Sequence, residues 1–266
     1  MSAVSSLRCE GLRLALGARQ VVDDISLAFA PGQWTAIVGA NGAGKSTLMQ
    51  LLAGLRVPQA GQVWLGSRSL GEWPMRERAA SLIWLGQDGA AMDSAEIAAI
   101  DIVRLGRLPR HGLFGARDAS DDAAVMAAMH ETECSAFAMR RLSQLSGGER
   151  QRVLLARALA TAATAQAVWL LDEPTTHLDA PHQRALVRAL RARAQRGTTV
   201  VTVLHDLTLA LAADRVLVLD QGRVVGDGPP DSTQLHAALA QTFAQAFAVH
   251  TVATAGGPRW VAVPAE

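Results

Sequence analysis

The sequence predicts an α/β fold built on a doubly wound, mainly parallel sheet. Three observations predict it. Gly39-Ala40-Asn41-Gly42-Ala43-Gly44-Lys45-Ser46-Thr47 lies between the apolar run Trp34 to Val38 and a helical pattern, Leu48 to Ala53. Ala167-Val168-Trp169-Leu170-Leu171 is apolar throughout, as a parallel strand buried on both faces must be. Beyond it, helix and strand patterns alternate through Ala180–Arg196, Thr198–Leu204, Leu207–Ala212 and Val216–Leu219.

The Gly-rich loop reads as a phosphate cradle. Three glycines let the backbone turn tightly and aim successive N–H groups at one anion, and the helix that follows adds its positive N-terminal dipole. Lys45 would reach the β- and γ-phosphates, and the Ser46 hydroxyl would hold Mg²⁺. Lys45 is the only lysine, every other of the 25 Lys+Arg residues being arginine. A compact ammonium on a flexible stem fits among converging amides where a planar guanidinium fork does not.

At 266 residues the chain suits one α/β domain with a small appended subdomain. A hydrophobic fraction of 50% with 18% charged residues suggests that part of the exterior is covered by another chain, although much of the apolar count is alanine. A net charge of +1 offers no electrostatic footprint for nucleic acid or anionic lipid. Cys9 and Cys134 have no CxxC or metal-ligand companion and read as unpaired thiols of a reducing compartment. Met1 to Gly11 lacks the apolar core of a signal peptide and no stretch has the length of a membrane span, so a cytosolic chain is expected, touching membrane only through a partner.

In chain order, residues 7–29 hold two strand-like runs joined at Leu16-Gly17-Ala18-Arg19, an antiparallel start closed by Pro31-Gly32. After the cradle and its helix come a turn at Pro58–Gly61, a strand at Gln62–Leu65 and another at Ser81–Leu85. From about Asp88 to Leu142 the pattern turns helical, at Ala95–Leu105 and Asp121–His130, broken by Pro109, Gly112 and Gly115. Gly147–Thr161 is a helix. The tail reads as an amphipathic helix over Ser232–Phe247 and a short hairpin around Trp260-Val261-Ala262-Val263.

Two further stretches carry chemistry. Asp172-Glu173 follows the buried strand at its carboxyl end, where Asp172 would complete a Mg²⁺ shell and Glu173 could polarise a water as general base. Leu145-Ser146-Gly147-Gly148-Glu149-Arg150-Gln151 opens a long helix with free amides and a hydroxyl, a second potential anion site. Its plain alternative is a capping box of Ser146 and Glu149, and the two can coexist.

Together these residues resemble the nucleotide-binding subunit of an ATP-binding cassette (ABC) transporter, up to about Gly228. Gly39–Thr47 matches the Walker A motif, Leu145–Gln151 the family signature, Val168–Glu173 Walker B, Thr176-His177-Leu178-Asp179 the D-loop, His205 the switch histidine and Gln87 the glutamine loop. The resemblance implies a P-loop NTPase of ABC type: a mixed central sheet, an antiparallel β subdomain, a helical subdomain inserted at about 88–142 and a C-terminal extension, 229–266, all in one nucleotide-binding domain over 1–266. It implies that ATP is held by Gly39, Asn41, Gly42, Gly44, Lys45, Ser46 and Thr47, with Mg²⁺ on Ser46, Asp172 and Gln87. Two copies would meet head to tail, so that Ser146, Gly147 and Gly148 of one cap the ATP of the other and Asp179 positions the opposite site. Glu173 would be the general base, His205 would contact the γ-phosphate, and Gln87 would pass nucleotide state to whatever docks on the insertion.

The sequence departs from the family where adenine usually stacks on an aromatic residue. No tyrosine occurs anywhere and no aromatic lies near Leu16, which leaves apolar packing by Leu16 or the planar face of Arg19. The stretches Ile102–His111 and Thr176–Gln183 resemble the bacterial importer subgroup for metal chelates, with cobalamin or an iron–siderophore preferred over haem. That resemblance implies polytopic membrane subunits docked near Gln87 and 88–142, a periplasmic binding protein beyond them, and a chain peripheral to the cytoplasmic face of the inner membrane. The rival is a soluble ABC ATPase of translation or DNA repair, but such proteins usually carry two cassettes or a long coiled coil. The extension 229–266 is expected to cap the sheet, with regulation or dimerisation as its other readings.

Overall fold

The computed structural model describes residues 6–86, 96–111, 118–161, 167–254 and 257–265. The chain opens with β1 (Leu7–Leu16), β2 (Arg19–Phe29), β3 (Trp34–Val38), α1 (Lys45–Leu52), β4 (Ala60–Leu65) and β5 (Arg68–Ser69). Next come α2 (Met75–Ser81), β6 (Leu82–Leu85), α3 (Ala99–Leu105), α4 (Leu108–His111), α5 (Ala119–Glu131), α6 (Gly147–Thr161) and β7 (Val168–Asp172). It closes with α7 (Ala180–Gln195), β8 (Thr199–Val203), α8 (Leu207–Ala210), β9 (Arg215–Asp220), β10 (Arg223–Gly228), α9 (Thr233–Thr242), β11 (Phe247–Thr254) and β12 (Gly257–Pro264).

The central sheet has the order β10-β9-β3-β8-β7-β6, parallel from β9 to β6 with β10 antiparallel at the edge. The central strands β3, β7 and β8 are buried at every position because both faces of the sheet are covered. Trp34, Ala36, Trp169, Leu171 and Val200 face the helices, whereas Ile37, Leu170, Val201 and Val203 face a second core shared with α1 and the antiparallel sheet β2-β1-β4-β5. α3, α5 and α6 pack on one another. Arg107 fastens this insertion from within: it donates to Asp121 Oδ1 at 2.9 Å and to the Ala160 carbonyl at 2.6 Å, both out of contact with water. Among the described residues no helix is long and apolar enough to cross a membrane, and Cys9 and Cys134 are free, buried thiols.

Several boundaries differ from the sequence expectation, most of them by one to three residues; the larger differences are these. Helix α2 has no counterpart in the sequence expectation, and Ser81 closes it rather than opening β6. The helix expected from Ala95 begins at Ala99, because Ala98 is extended and bridges to Arg141; Ala95 itself lies outside the described residues. α5 starts two residues early, since Asp118 and Asp121 form a capping box. In the tail the helix ends at Thr242, where Ala244 and Gln245 take left-handed backbone, and Phe247 opens an eight-residue strand rather than ending a helix. The hairpin is correspondingly longer than expected, because β-branched Val249, Thr251 and Val252 favour a pleated strand.

Candidate functional site

Phosphate-cradle residues emerge where β3 runs out of the sheet. Gly44 caps α1 at a φ of 102°, and a Cβ there would lie 2.2 Å from the Val21 carbonyl oxygen, so only glycine allows the loop to close on β2. Lys45 Nζ folds back over the loop, donating to the carbonyls of Gly39 at 2.8 Å and Ala40 at 3.0 Å. Burial holds its pKa below the usual lysine value, opposed by the nearby carboxylates of Glu173 and Asp172.

Asp172 ends β7, paired with Val203 of β8, and is 3% exposed. Burial pushes its carboxyl up to about 6, against the opposing hydrogen bond to Ser46. Its Oδ1 is buried without a hydrogen-bond partner. A buried oxygen lacking a donor, beside a serine hydroxyl, is the kind of hard donor set that suits Mg²⁺. The next residue, Glu173, sits in left-handed backbone, donates its N–H to the Val203 carbonyl at 3.1 Å and turns its side chain to His205, with Oε1 2.5 Å from Nε2. Glu173 Oε2 also accepts from Thr176 Oγ1 at 3.4 Å.

Most of these groups line one open cleft of about 430 Å³; Gly39 and Asp172 are not among its described lining residues. Asn41, Gly42, Gly44, Lys45, Ser46 and Thr47 of the loop line it together with Glu173 and His205 and with Leu16, Arg19 and Val21. Leu16 is 44% exposed, and Arg19 Nη2 donates to the Gly42 carbonyl at 2.8 Å, which lays the guanidinium against the loop. No aromatic residue is among the lining residues described. Val21 also lines the cleft, and no sequence motif marks it; its place on β2, opposite Gly44, puts it there.

Ser146, Gly147, Gly148 and Asp179 are not among the described residues lining that cleft. Ser146 and Glu149 form the capping box: Ser146 N–H donates to Glu149 Oε2 at 2.8 Å and Glu149 N–H to Ser146 Oγ at 3.3 Å. The two glycines are packed against the D-loop segment, since a Cβ on Gly148 would come 2.8 Å from the His177 carbonyl oxygen. Gln151 adds a tie to the Asp172-Glu173 turn, donating from Nε2 to the Pro174 carbonyl at 3.0 Å. Asp179 caps α7, its Oδ1 accepting from His182 N–H at 3.2 Å and meeting the His182 ring as well. Gln87 lies outside the described residues.

Residues 22–176 match the family model described as ABC transporter. The chain belongs to the ABC transporter family. Relatives of this ABC protein include the hemin import ATP-binding protein HmuV of Streptomyces coelicolor, 45% identical over 237 residues that cover 88% of this chain and 82% of that protein. HmuV of Rhodococcus jostii is 44% identical over 232 residues, covering 86% and 76%. Among solved structures, an inward-facing metal-chelate type ABC transporter superposes with a TM-score of 0.77 at 25% identity, covering 99% of this chain and 98% of that one. A dimeric bacterial ABC transporter cassette shares the fold, with a TM-score of 0.71 at 23% identity over 85% of this chain and 99% of that one. This ABC chain binds nucleotide and is an ATPase.

Proposed function

We propose that this ATPase powers import of haem through separate membrane subunits. The observation that carries the reading is the similarity, at 44–45% identity over most of both chains, to proteins named for hemin import. It reverses the preference for cobalamin or an iron–siderophore drawn from sequence resemblance, while keeping the metal-chelate class that the structural likeness also supports. No observation favours the soluble, non-transport alternative.

ATP lies along the cleft, its β- and γ-phosphates against the amides of Gly39 to Thr47, with the Lys45 ammonium turned outward from the Gly39 and Ala40 carbonyls. Ser46, Asp172 and Gln87 would hold Mg²⁺, which supplies charge neutralisation on the phosphate oxygens. Glu173 accepts a proton from the attacking water as its oxygen bonds to the γ-phosphorus and the bond to the β–γ bridging oxygen breaks, releasing ADP and phosphate, and His205, touching Glu173, fixes that carboxylate and faces the γ-phosphate. Adenine rests between Leu16, Val21 and the Arg19 guanidinium.

Ser146, Gly147 and Gly148 need a different nucleotide, because they stand apart from their own chain's cleft. A head-to-tail pair of copies supplies it, with Asp179 at the junction. The membrane subunits dock near Gln87 and the insertion 88–142. Met75 of α2, Leu105 of α3 and Leu108 of α4 are exposed, and Arg76 of α2 donates to the Pro109 carbonyl at 3.0 Å, joining α2 to α4. The chain is thereby held at the cytoplasmic face of the inner membrane, and a periplasmic binding protein delivers the chelate.

Co-purification of the tagged chain from solubilised host membranes, with mass spectrometry of its companions, tests this. A polytopic permease should appear, and the binding protein encoded beside it should bind haem in preference to cobalamin or a ferric siderophore. Capture of ribosomal or repair proteins, or a binding protein selective for another chelate, would overturn the respective part.

A further inference from the structure

The C-terminal hairpin is not used by the chemistry above, yet it touches the segment that carries His205. That segment is poorly able to hold itself. His205 leaves β8 and is followed by α8, a helix of four residues, and a single turn has no independent stability. Asp206 caps it, Oδ1 accepting from Leu209 N–H at 3.0 Å. Inward, Leu207, Ala210 and Leu211 are buried in the core. Apolar packing is non-directional, so these contacts allow α8 to slide or rotate by small amounts.

A directional contact stands on the other side. Thr208 Oγ1 donates to the Ala262 carbonyl at 3.3 Å and accepts the Ala262 N–H at 3.1 Å, so one hydroxyl satisfies both backbone groups of one residue on β12. Only a side chain that both donates and accepts can do this. The hairpin is itself anchored: Trp260 lies 5.0 Å from the His236 ring of α9, Phe247 meets Phe243 edge-on at 6.2 Å, and Ala265 N–H donates to the Ala246 carbonyl at 2.9 Å. Leu235 and Leu239 bury α9 in the main core.

We infer that Thr208 is a positioning residue for ATP hydrolysis, the clasp by which the C-terminal hairpin holds the α8 turn and so sets His205 against Glu173. The inference rests on the ATPase reading of the site. It gives residues 247–264 a role beyond covering the sheet.

Thr208→Val keeps the side-chain shape and removes the clasp, whereas Thr208→Ser keeps the hydroxyl. In the purified full-length chain, Thr208→Val should lower kcat about tenfold with KM for ATP unchanged, as a small misplacement of a positioned group does, and Thr208→Ser should restore it. Amide hydrogen exchange over residues 205–211 should speed up in the valine variant alone. Ala262→Pro attacks the same contact from the strand, where the lost N–H serves Thr208, and should reproduce the kcat loss if Thr208→Val does not fold. Unchanged kcat in a folded clasp variant, or a loss confined to KM, would overturn the proposal. A wild-type chain without ATP turnover would instead overturn the ATPase reading, and is recognised before any variant is compared.

Discussion

His205 Nε2 lies 2.5 Å from Glu173 Oε1, joining the carboxyl ends of two adjacent parallel strands. Neither residue is near the other in sequence; the pairing of Asp172 with Val203 brings them together. A carboxylate held in this way is oriented to take a proton from water. Glu173→Gln keeps size and hydrogen bonding but removes the base, and should lower kcat by about 10²–10⁴-fold without weakening ATP binding. ATP-bound dimer should then accumulate on size-exclusion chromatography. Turnover near the wild-type rate would dismiss Glu173 as base.

Asp172 makes an opposite trade. Burial pushes its carboxyl from an ordinary value of 3.8 up to about 6, so between these pH values the folded state holds more protons than the unfolded one. Stability of the metal-free chain therefore falls as pH rises through that window, and the loss persists above it. Asp172→Asn removes the titration. Urea unfolding without metal should find the variant more stable than the wild type at pH 7, by up to about 3 kcal/mol, and the advantage should vanish near pH 4. Its Mg²⁺-dependent ATPase should be lost. A variant less stable at pH 7 would contradict the burial cost assigned to this carboxylate.

Arg19 stands where an aromatic base platform is absent. With its guanidinium laid on Gly42, Arg19→Ala should raise KM for ATP about tenfold and leave kcat nearly unchanged, the loss of one face contact. Arg19→Lys should recover only part, since an ammonium has no planar face. Steady-state kinetics on the three chains decides it: a fall in kcat with unchanged KM would place Arg19 in the chemistry instead.

Much of the site was legible because its groups lie in short, ordered runs. Gly44, Lys45 and Ser46 must be neighbours for a loop to close on phosphate, and Ser146 with Glu149 must be three residues apart to cap a helix. The tail is less legible for the converse reason. Ala-rich Thr233–Thr242 and the β-branched stretch after Phe247 carry no marker between them as plain as Gly or Pro, and the two left-handed residues, Ala244 and Gln245, that end the helix have no strong local preference for that backbone. Helix α2 is not legible in the sequence, because none of its residues is buried and no apolar stripe marks it.

What the sequence by itself determined was the chemistry: a phosphate loop with a single lysine, an Asp-Glu pair after a buried strand, and a second helix opening on Ser-Gly-Gly. These depend on residue type and spacing over a few positions, where backbone geometry is local. Only the tertiary structure decided which groups act together. The contact of His205 with Glu173, the packing of Gly148 on His177 and the clasp of Thr208 on Ala262 join residues that strand register and helix packing bring side by side. Register is set by which faces of the sheet are buried across the whole core, a cooperative outcome that no short run of residues carries.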